Sequence, residues 1–177
     1  MDQLLLMRPT HHWVQALLEY RQEFLETGDS MDGSAGLLGA PSLDAWLAAL
    51  EDNARETPSR PDRVPSTTLL AVRVSDRQLV GMVDLRHRLN AGLLLTGGHI
   101  GYSVRPTQRR KGYATQMLLL ALEECRRMGL ERVLLSCYKD NRASAQVIQK
   151  CGGVLEDEVL AAGRPVQRYW IALPPQP

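Results

Sequence analysis

Apolar positions fall into short runs of two kinds along the chain. Leu4–Met7, Thr67–Val74, Leu79–Arg88, His99–Val104 and Arg132–Cys137 are brief, rich in Leu and Val, and bounded by turn residues, so each predicts a strand. Ser75-Asp76-Arg77-Gln78 is the turn between the second and third. Trp13, Leu17, Tyr20 and Phe24 recur at helical spacing and predict a helix over His11–Glu26, one face in the core and Thr10 as its N-cap. Ser42 predicts the cap of a second helix, Leu43–Asn53. A strongly apolar helix follows over Thr115–Met128, and another opens at Asp140–Ser144 and closes at Lys150-Cys151-Gly152-Gly153. Strands near 154–162 and 166–171 flank Gly163-Arg164-Pro165, a hairpin turn. Residues 28–40 are rich in glycine and predict a mobile loop, and the prolines of 54–66 predict a linker inside the domain. Residues 90–98, mostly Gly and Leu, fit neither period. The order is β-α-α-β-β-β-α-β-α-β-β.

Composition narrows the classes. A chain of 177 residues is long enough for one domain, residues 1–177, with its own core. Hydrophobic content of 44% and charged content of 23% are those of a soluble globular protein. The net charge of +1 argues against general binding to nucleic acid or acidic membrane. No apolar run approaches the ~18 residues of a membrane span. Met1-Asp2-Gln3-Leu4 lacks the basic start of a signal peptide. Three widely spaced cysteines give neither a disulfide framework nor a zinc pattern, so a cytoplasmic protein without metal is expected.

Candidate chemistry concentrates at residues 108–115, Gln-Arg-Arg-Lys-Gly-Tyr-Ala-Thr. Arg105, Arg109, Arg110 and Lys111 cluster there, and Gly112 and Ala114 allow close approach to the backbone. A strand feeding a small-residue turn that opens a helix leaves N–H groups pointing outward, and these donors with the helix dipole favour an anion. The spacing is neither that of a P-loop nor that of the dinucleotide fingerprint. It is Arg109-x-x-Gly112-x-Ala114, and it resembles the Gln/Arg-x-x-Gly-x-Gly/Ala pyrophosphate loop of the GNAT superfamily of acetyl-CoA-dependent N-acetyltransferases. Val104-Arg105-Pro106 resembles the end of that family's central strand. Asn141-x-x-Ser144, followed by Lys150 and Gly152, resembles its next helix. Gly101-Tyr102-Ser103-Val104 with Gly112-Tyr113-Ala114-Thr115 is most similar to the branch of ribosomal-protein N-terminal acetyltransferases. The likeness covers about residues 97–156.

The resemblance implies an α/β (α+β) fold, a mostly antiparallel mixed sheet with splayed central strands and flanking helices. It implies direct transfer of acetyl from acetyl-CoA to a primary amine. The backbone at Tyr102, Ser103 and Val104 would take the pantetheine arm and the acetyl carbonyl. The amides of Arg110, Lys111, Gly112, Tyr113, Ala114 and Thr115 would hold the pyrophosphate, with Arg109 and Lys111 in reach of a phosphate. Many relatives carry a tyrosine seven residues beyond the asparagine as the leaving-group acid, and Ile148 stands there. Ser144 is the substitute, one turn after Asn141 on the same face, unless it only starts the helix. Replacing Ile148 by Tyr would restore the family residue. Asn141 is a cofactor-arm ligand or a plain N-cap, and Tyr102 joins Ser144 as a catalytic candidate. Some relatives place a glutamate in the central strand where Gly98 stands. His99 has a suitable pKa for the base but strand alternation turns it away, and Asp84, His87 and a water chain are alternatives.

Cys125 reads as core, and no cysteine has a neighbour that would activate it. The expected partners are acetyl-CoA and an amine acceptor, either a small molecule or a peptide N-terminus, with a homodimer open. The acceptor would meet residues 20–50 and 155–170, where Glu19, Glu23, Glu26, Asp29 and Asp32 make the first region acidic. A non-catalytic acyl-CoA-binding module is the competing reading, prompted by Ile148 and the missing glutamate.

Overall fold

The computed structural model describes residues 2–57 and 59–174. Pro58 of the predicted linker, and Met1 and residues 175–177 at the ends of the predicted domain, lie outside the described residues. Strands β1 (Leu4–Met7), β2 (Ser66–Arg73), β3 (Leu79–Arg86) and β4 (Ile100–Val104) form an antiparallel sheet in that order. Strands β5 (Arg132–Tyr138), β6 (Val154–Ala161) and β7 (Arg164–Ala172) form a second antiparallel sheet, ordered β5-β7-β6.

Two cores sandwich the first sheet. Leu70, Val72, Leu79 and Met82 pack on Leu17, Tyr20 and Phe24 of α1 (Val14–Thr27) and Trp46 of α2 (Leu43–Asn53). Leu69, Ala71, Val83 and Leu85 face α4 (Tyr113–Arg127), which buries Met117, Leu118, Ala121, Leu122 and Cys125 at helical spacing. That core continues into Val133, Leu135, Tyr169 and Ile171 of the second sheet and Ile148 of α5 (Arg142–Lys150). Because β2 and β3 are covered on both faces, Leu69–Val72 and Leu79–Val83 read as near-continuous apolar runs rather than alternating ones. Each large side chain so buried contributes roughly 1.5–3 kcal/mol.

Local departures from expectation have local causes. The first helix begins later than predicted: His11–Trp13 form a 3-10 turn, and Thr10 makes no side-chain cap bond. Ser42 does cap α2, accepting from Ala45 N at 3.1 Å. Residues 90–98 contain the short α3 (Ala91–Leu95), which Asn90 caps through Leu93 N at 2.9 Å. The last hairpin turns at Ala162–Gly163, both at positive φ (49° and 77°), and Pro165 lies inside β7. The glycine-rich loop after α1 is packed rather than loose. Met31, Gly33, Ser34 and Leu37 are buried, and Trp46 Nε1 donates to Ser34 O at 2.8 Å. Gly33 (φ +72°) lies so close to β4 that a Cβ would sit 2.3 Å from Gly101 O.

The two sheets touch at one end of β4. Gly98 bridges to Leu135, and His99 N donates to Leu134 O at 2.7 Å. Leu134 N donates back to His99 Nδ1 at 2.9 Å, and Gly97 N donates to Ser136 Oγ at 2.7 Å. Gly98 has φ +63°, and a Cβ there would lie 2.3 Å from Leu134 O. No glutamate fits at that position, which accounts for the residue that some relatives carry and this chain lacks. Burial, with the Arg86 and Arg132 charges, brings the His99 imidazole down to about 4.

Two predictions follow from this junction. Gly98→Ala combines a clash with a left-handed backbone, and should cost on the order of 2–4 kcal/mol in urea unfolding. For His99, a folded pKa below the unfolded value of about 6.5 gives stability that is fully present above pH 6.5 and lost as pH falls toward 4. About 3 kcal/mol should disappear over that window. His99→Asn, whose side-chain oxygen can still accept from Leu134 N, should flatten the melting temperature against pH in the same range.

Candidate active site

Beyond Gly98 and His99 the strands β4 and β5 separate, and β4 is left as an edge. Its pairing with β3 fixes which groups face the opening. Arg86 N bonds His99 O and Arg105 N bonds Val80 O, both at 2.8 Å. In an antiparallel ladder the backbone groups of alternate residues point to opposite sides. Residues 101, 103 and 105, with the His99 carbonyl, therefore turn toward β3, while the His99 N–H turns to β5 and residues 100, 102 and 104 turn toward the gap. The structure thus brings Tyr102 and Val104 to the opening. It does not bring Ser103, which is buried on the α1 side with its Oγ 2.9 Å from Tyr20 Oη.

At the mouth of the gap α4 begins at Gly112, at φ +81°, with no side-chain cap and no acidic residue in its first turn. Arg110 is also left-handed, at φ +62°. The N–H groups of residues 110–115 have no hydrogen-bond partner among the described residues. This is a nest of free donors at the positive end of a helix. Gly112, Ala114 and Thr115 line it, while the Tyr113 ring is buried and its hydroxyl accepts from Arg73 Nη1 at 3.0 Å.

The cations divide in a way that the sequence does not reveal. Arg105 is buried, with its Nε on Glu23 Oε1 at 2.5 Å, and is unavailable to an anion. Glu23 also accepts from Thr107 N at 3.2 Å, and these bonds outweigh its desolvation, lowering its pKa. Arg109 donates to Val104 O at 3.2 Å and to Asp29 Oδ2 at 2.6 Å. Lys111 Nζ and Arg73 Nη1 both donate to Gln108 Oε1, at 2.9 and 3.2 Å. Arg73 is a support for this loop that sequence reading missed. It lies far from the motif in sequence, and nothing in its own strand marks it. Arg110 alone of these cations has no side-chain hydrogen bond among the described residues.

Across the gap, α5 presents Asn141 and Ser144. Asn141 Oδ1 accepts from Ser144 N at 3.1 Å as an N-cap, and its exposed amide nitrogen is unbonded among the described residues. The Ser144 and Tyr102 hydroxyls share a hydrogen bond of 2.9 Å that spans the opening. Burial pushes the Tyr102 hydroxyl up to about 12, with the Ser144 bond opposing. Burial also raises the Cys137 thiol, again opposed by Ser144. The three cysteines are free and buried.

The other candidates lie elsewhere. Ile148 is fully buried in the core, so a tyrosine there would overpack the helix end against Gly153 instead of reaching the gap. That corrects the expectation that Ile148→Tyr restores the family acid. His99 spends Nδ1 on the sheet junction. Asp84 is buried between Thr68 Oγ1 (2.9 Å) and Arg86 Nε (3.1 Å), and His87 Nε2 is 2.8 Å from Thr67 Oγ1. No group of His, Cys, Asp and Glu among the described residues could hold a metal ion, and no helix is long and apolar enough to cross a membrane.

No curated protein sequence matches the chain. Solved structures do match over nearly the whole fold. MccE, a microcin C7 self-immunity acetyltransferase in complex with acetyl-CoA and AMP, is 18% identical with a TM-score of 0.68, covering 97% of this chain and 93% of its own. The ribosomal-protein alpha-N-acetyltransferase RimL, in complex with coenzyme A, is 15% identical with a TM-score of 0.70, covering 98% and 96%. A spermidine N-acetyltransferase from Vibrio cholerae, with CoA and spermine, is 15% identical with a TM-score of 0.66, covering 97% and 96%. At these identities the likeness shows the fold. The family model for the acetyltransferase (GNAT) domain matches residues 35–154, a span that holds the uncapped helix, the open β4 edge and the Tyr102–Ser144 contact, and the chain belongs to the GNAT acetyltransferase family.

Proposed function

We propose that this protein is an N-acetyltransferase that moves the acetyl group of acetyl-CoA directly to a primary amine, with residues 1–177 acting as one domain. The observation that carries the reading is the row of free N–H groups at residues 110–115, continuous with the open edge at Tyr102 and Val104. A diphosphate satisfies the first and an extended amide arm the second. The neighbours MccE and RimL, bound to acetyl-CoA and to CoA, support the same donor. In this reading Arg110 and Lys111 add charge at the pyrophosphate, and the Asn141 amide nitrogen donates to the arm. Arg105 and Arg109 brace the loop. His99 takes no part, because its acceptor nitrogen is already bonded.

Transfer requires the amine nitrogen to form a bond to the carbonyl carbon as the carbon–sulfur bond breaks. The sulfur leaves with negative charge, and the nitrogen gives up a proton. The Tyr102–Ser144 pair supplies a hydroxyl donor at the gap, in place of the tyrosine that α5 lacks. A purely binding module would have no use for that pair, so catalysis is the favoured reading. Release of free CoA in the presence of a broad amine panel tests it, and a background rate throughout would favour the binding module.

Two substitutions test the placement. Gly112→Glu puts a side chain and a negative charge into the nest, and should weaken acetyl-CoA at least a hundredfold by calorimetry while far-ultraviolet dichroism stays native. Unchanged affinity in the folded variant would move the pyrophosphate elsewhere. Ser144→Ala removes a donor that strengthens only as charge builds on sulfur. It should lower kcat by about tenfold to a hundredfold with little change in acetyl-CoA affinity, since one hydrogen bond to a charged group is worth about 1.5–3 kcal/mol. Steady-state kinetics with any amine the protein acetylates decides this, and unchanged kcat would leave the serine as part of the helix start only.

A further inference from the structure

The turn that opens α4 is pinned at both ends by one side chain from another strand. Arg73 ends β2, and its side chain is only 14% exposed. Its Nε and Nη2 grip Asp76 Oδ1 and Oδ2 at 2.9 and 2.6 Å, and Nη2 also donates to Gln78 Oε1 at 2.5 Å. The carboxylate fixes the plane of the guanidinium fork and offsets its charge. Nη1 is left to reach the loop, donating to Gln108 Oε1 at 3.2 Å and to Tyr113 Oη at 3.0 Å. These five bonds use every N–H that a guanidinium has.

The two residues so held bracket the nest of free amides. Gln108 closes the 3-10 turn Pro106–Gln108, Tyr113 is the first residue of α4, and both are buried. Between them the backbone is left-handed twice, at Arg110 (φ +62°) and at Gly112 (φ +81°). A left-handed residue with a side chain is unfavourable by itself and persists where its surroundings impose it. Lys111 Nζ shares the Gln108 oxygen with Arg73, at 2.9 Å, and no carboxylate pairs with this ammonium among the described residues. Two cations on one neutral oxygen leave positive charge in excess beside the free N–H groups of residues 110–115.

Resting on the acetyl-CoA reading above, we propose that Arg73 is a positioning residue for the diphosphate of the donor. It has no N–H left to give to a ligand and acts through Gln108 and Tyr113. By tying these two side chains together it holds the amides of residues 110–115 convergent before the ligand arrives. Donors held in place beforehand spare the complex the cost of ordering them. Arg73 therefore sets the affinity for the diphosphate and not the chemistry at the thioester. Asp76 and Gln78 belong to the same device, because they hold the fork that holds the loop.

The test compares CoA with pantetheine, which lacks the nucleotide and its diphosphate, by calorimetry. Arg73→Lys keeps the charge but has three donors and no planar fork. It should weaken CoA about tenfold and leave pantetheine unchanged, whereas a general loosening of the fold would weaken both. Tyr113→Phe keeps the ring and removes one of the two acceptors in the loop. It should weaken CoA about threefold, and added to Arg73→Lys it should cost nothing more, since both changes act on one contact. Wild-type CoA affinity in a folded Arg73→Lys variant, or an equal loss for pantetheine, would overturn the assignment. Should Arg73→Lys not fold, Tyr113→Phe decides alone, and unchanged CoA affinity there refutes the proposal. A wild-type protein that binds CoA no better than pantetheine would instead remove the diphosphate from the nest, and the role of Arg73 with it.

Discussion

The structure depends on one unfinished edge. β4 completes the first sheet, meets β5 only at Gly98 and His99, and then diverges from it. Backbone donors and acceptors left without partners in a protein interior are costly, on the order of 1–3 kcal/mol each. They persist here because the gap opens to solvent and to whatever occupies it. The crossover through α4 brings a second set of free donors, the uncapped first turn, to the mouth of the same gap. Gly98 is the pivot. Any side chain there would push the two sheets apart at the point where they must join, so the divergence that exposes Tyr102 and Val104 requires a residue without a Cβ behind it.

Charge near the start of α4 is arranged by the same economy. Four cations in one short segment suggest an electrostatic trap for phosphate, but two of them are committed to carboxylates of α1 and its following loop. Arg105 is the clearest case, since a buried guanidinium must be paired to be tolerated at all. An anion at the start of α4 would be met mainly by amides, whose positions the helix fixes. The side-chain cations then serve to lock α1 and the loop after it against the strand end. The α1 segment and β4 are thereby joined by ion pairs at one end and by the Gly33–Gly101 contact at the other.

Much of this was legible in the sequence. The apolar runs located β1 to β5, because β2, β3 and β5 are buried enough for their composition to dominate, whereas β6 and β7 were placed by the turn at Gly163. The strongly apolar stretch Thr115–Met128 located α4, and Arg109-x-x-Gly112-x-Ala114 located its open start. What stayed hidden depends on contacts between distant segments. The glycines of 28–40 suggest mobility, yet Gly33 is there for close approach to β4, a reason that no local pattern contains. Ser103 and Tyr102 are neighbours in the motif, but only the β3 register tells which one faces the gap. Ile148 follows the asparagine at the family's spacing and still points into the core. The 3-10 turn at His11–Trp13 replaces a cap that Thr10 was well suited to make, because the chain enters the helix by a different path.

The Tyr102–Ser144 pair also limits how the leaving group can be handled. A thiol of ordinary pKa, about 8.5, is a stronger acid than a phenol held near 12. Full proton transfer from that phenol to a thiolate would run uphill by more than 3 units, or about 5 kcal/mol. A hydrogen bond carries no such penalty and strengthens as charge moves onto sulfur. The same burial that prevents Tyr102 from ionising keeps its proton available as a donor throughout the reaction. Ser144, bonded to Tyr102, has its hydroxyl oriented by a partner that does not titrate near neutral pH. In the proposed reaction the pair would act as a fixed electrostatic support for the departing sulfur, and the proton that finally reaches the thiolate would come from the amine or from solvent.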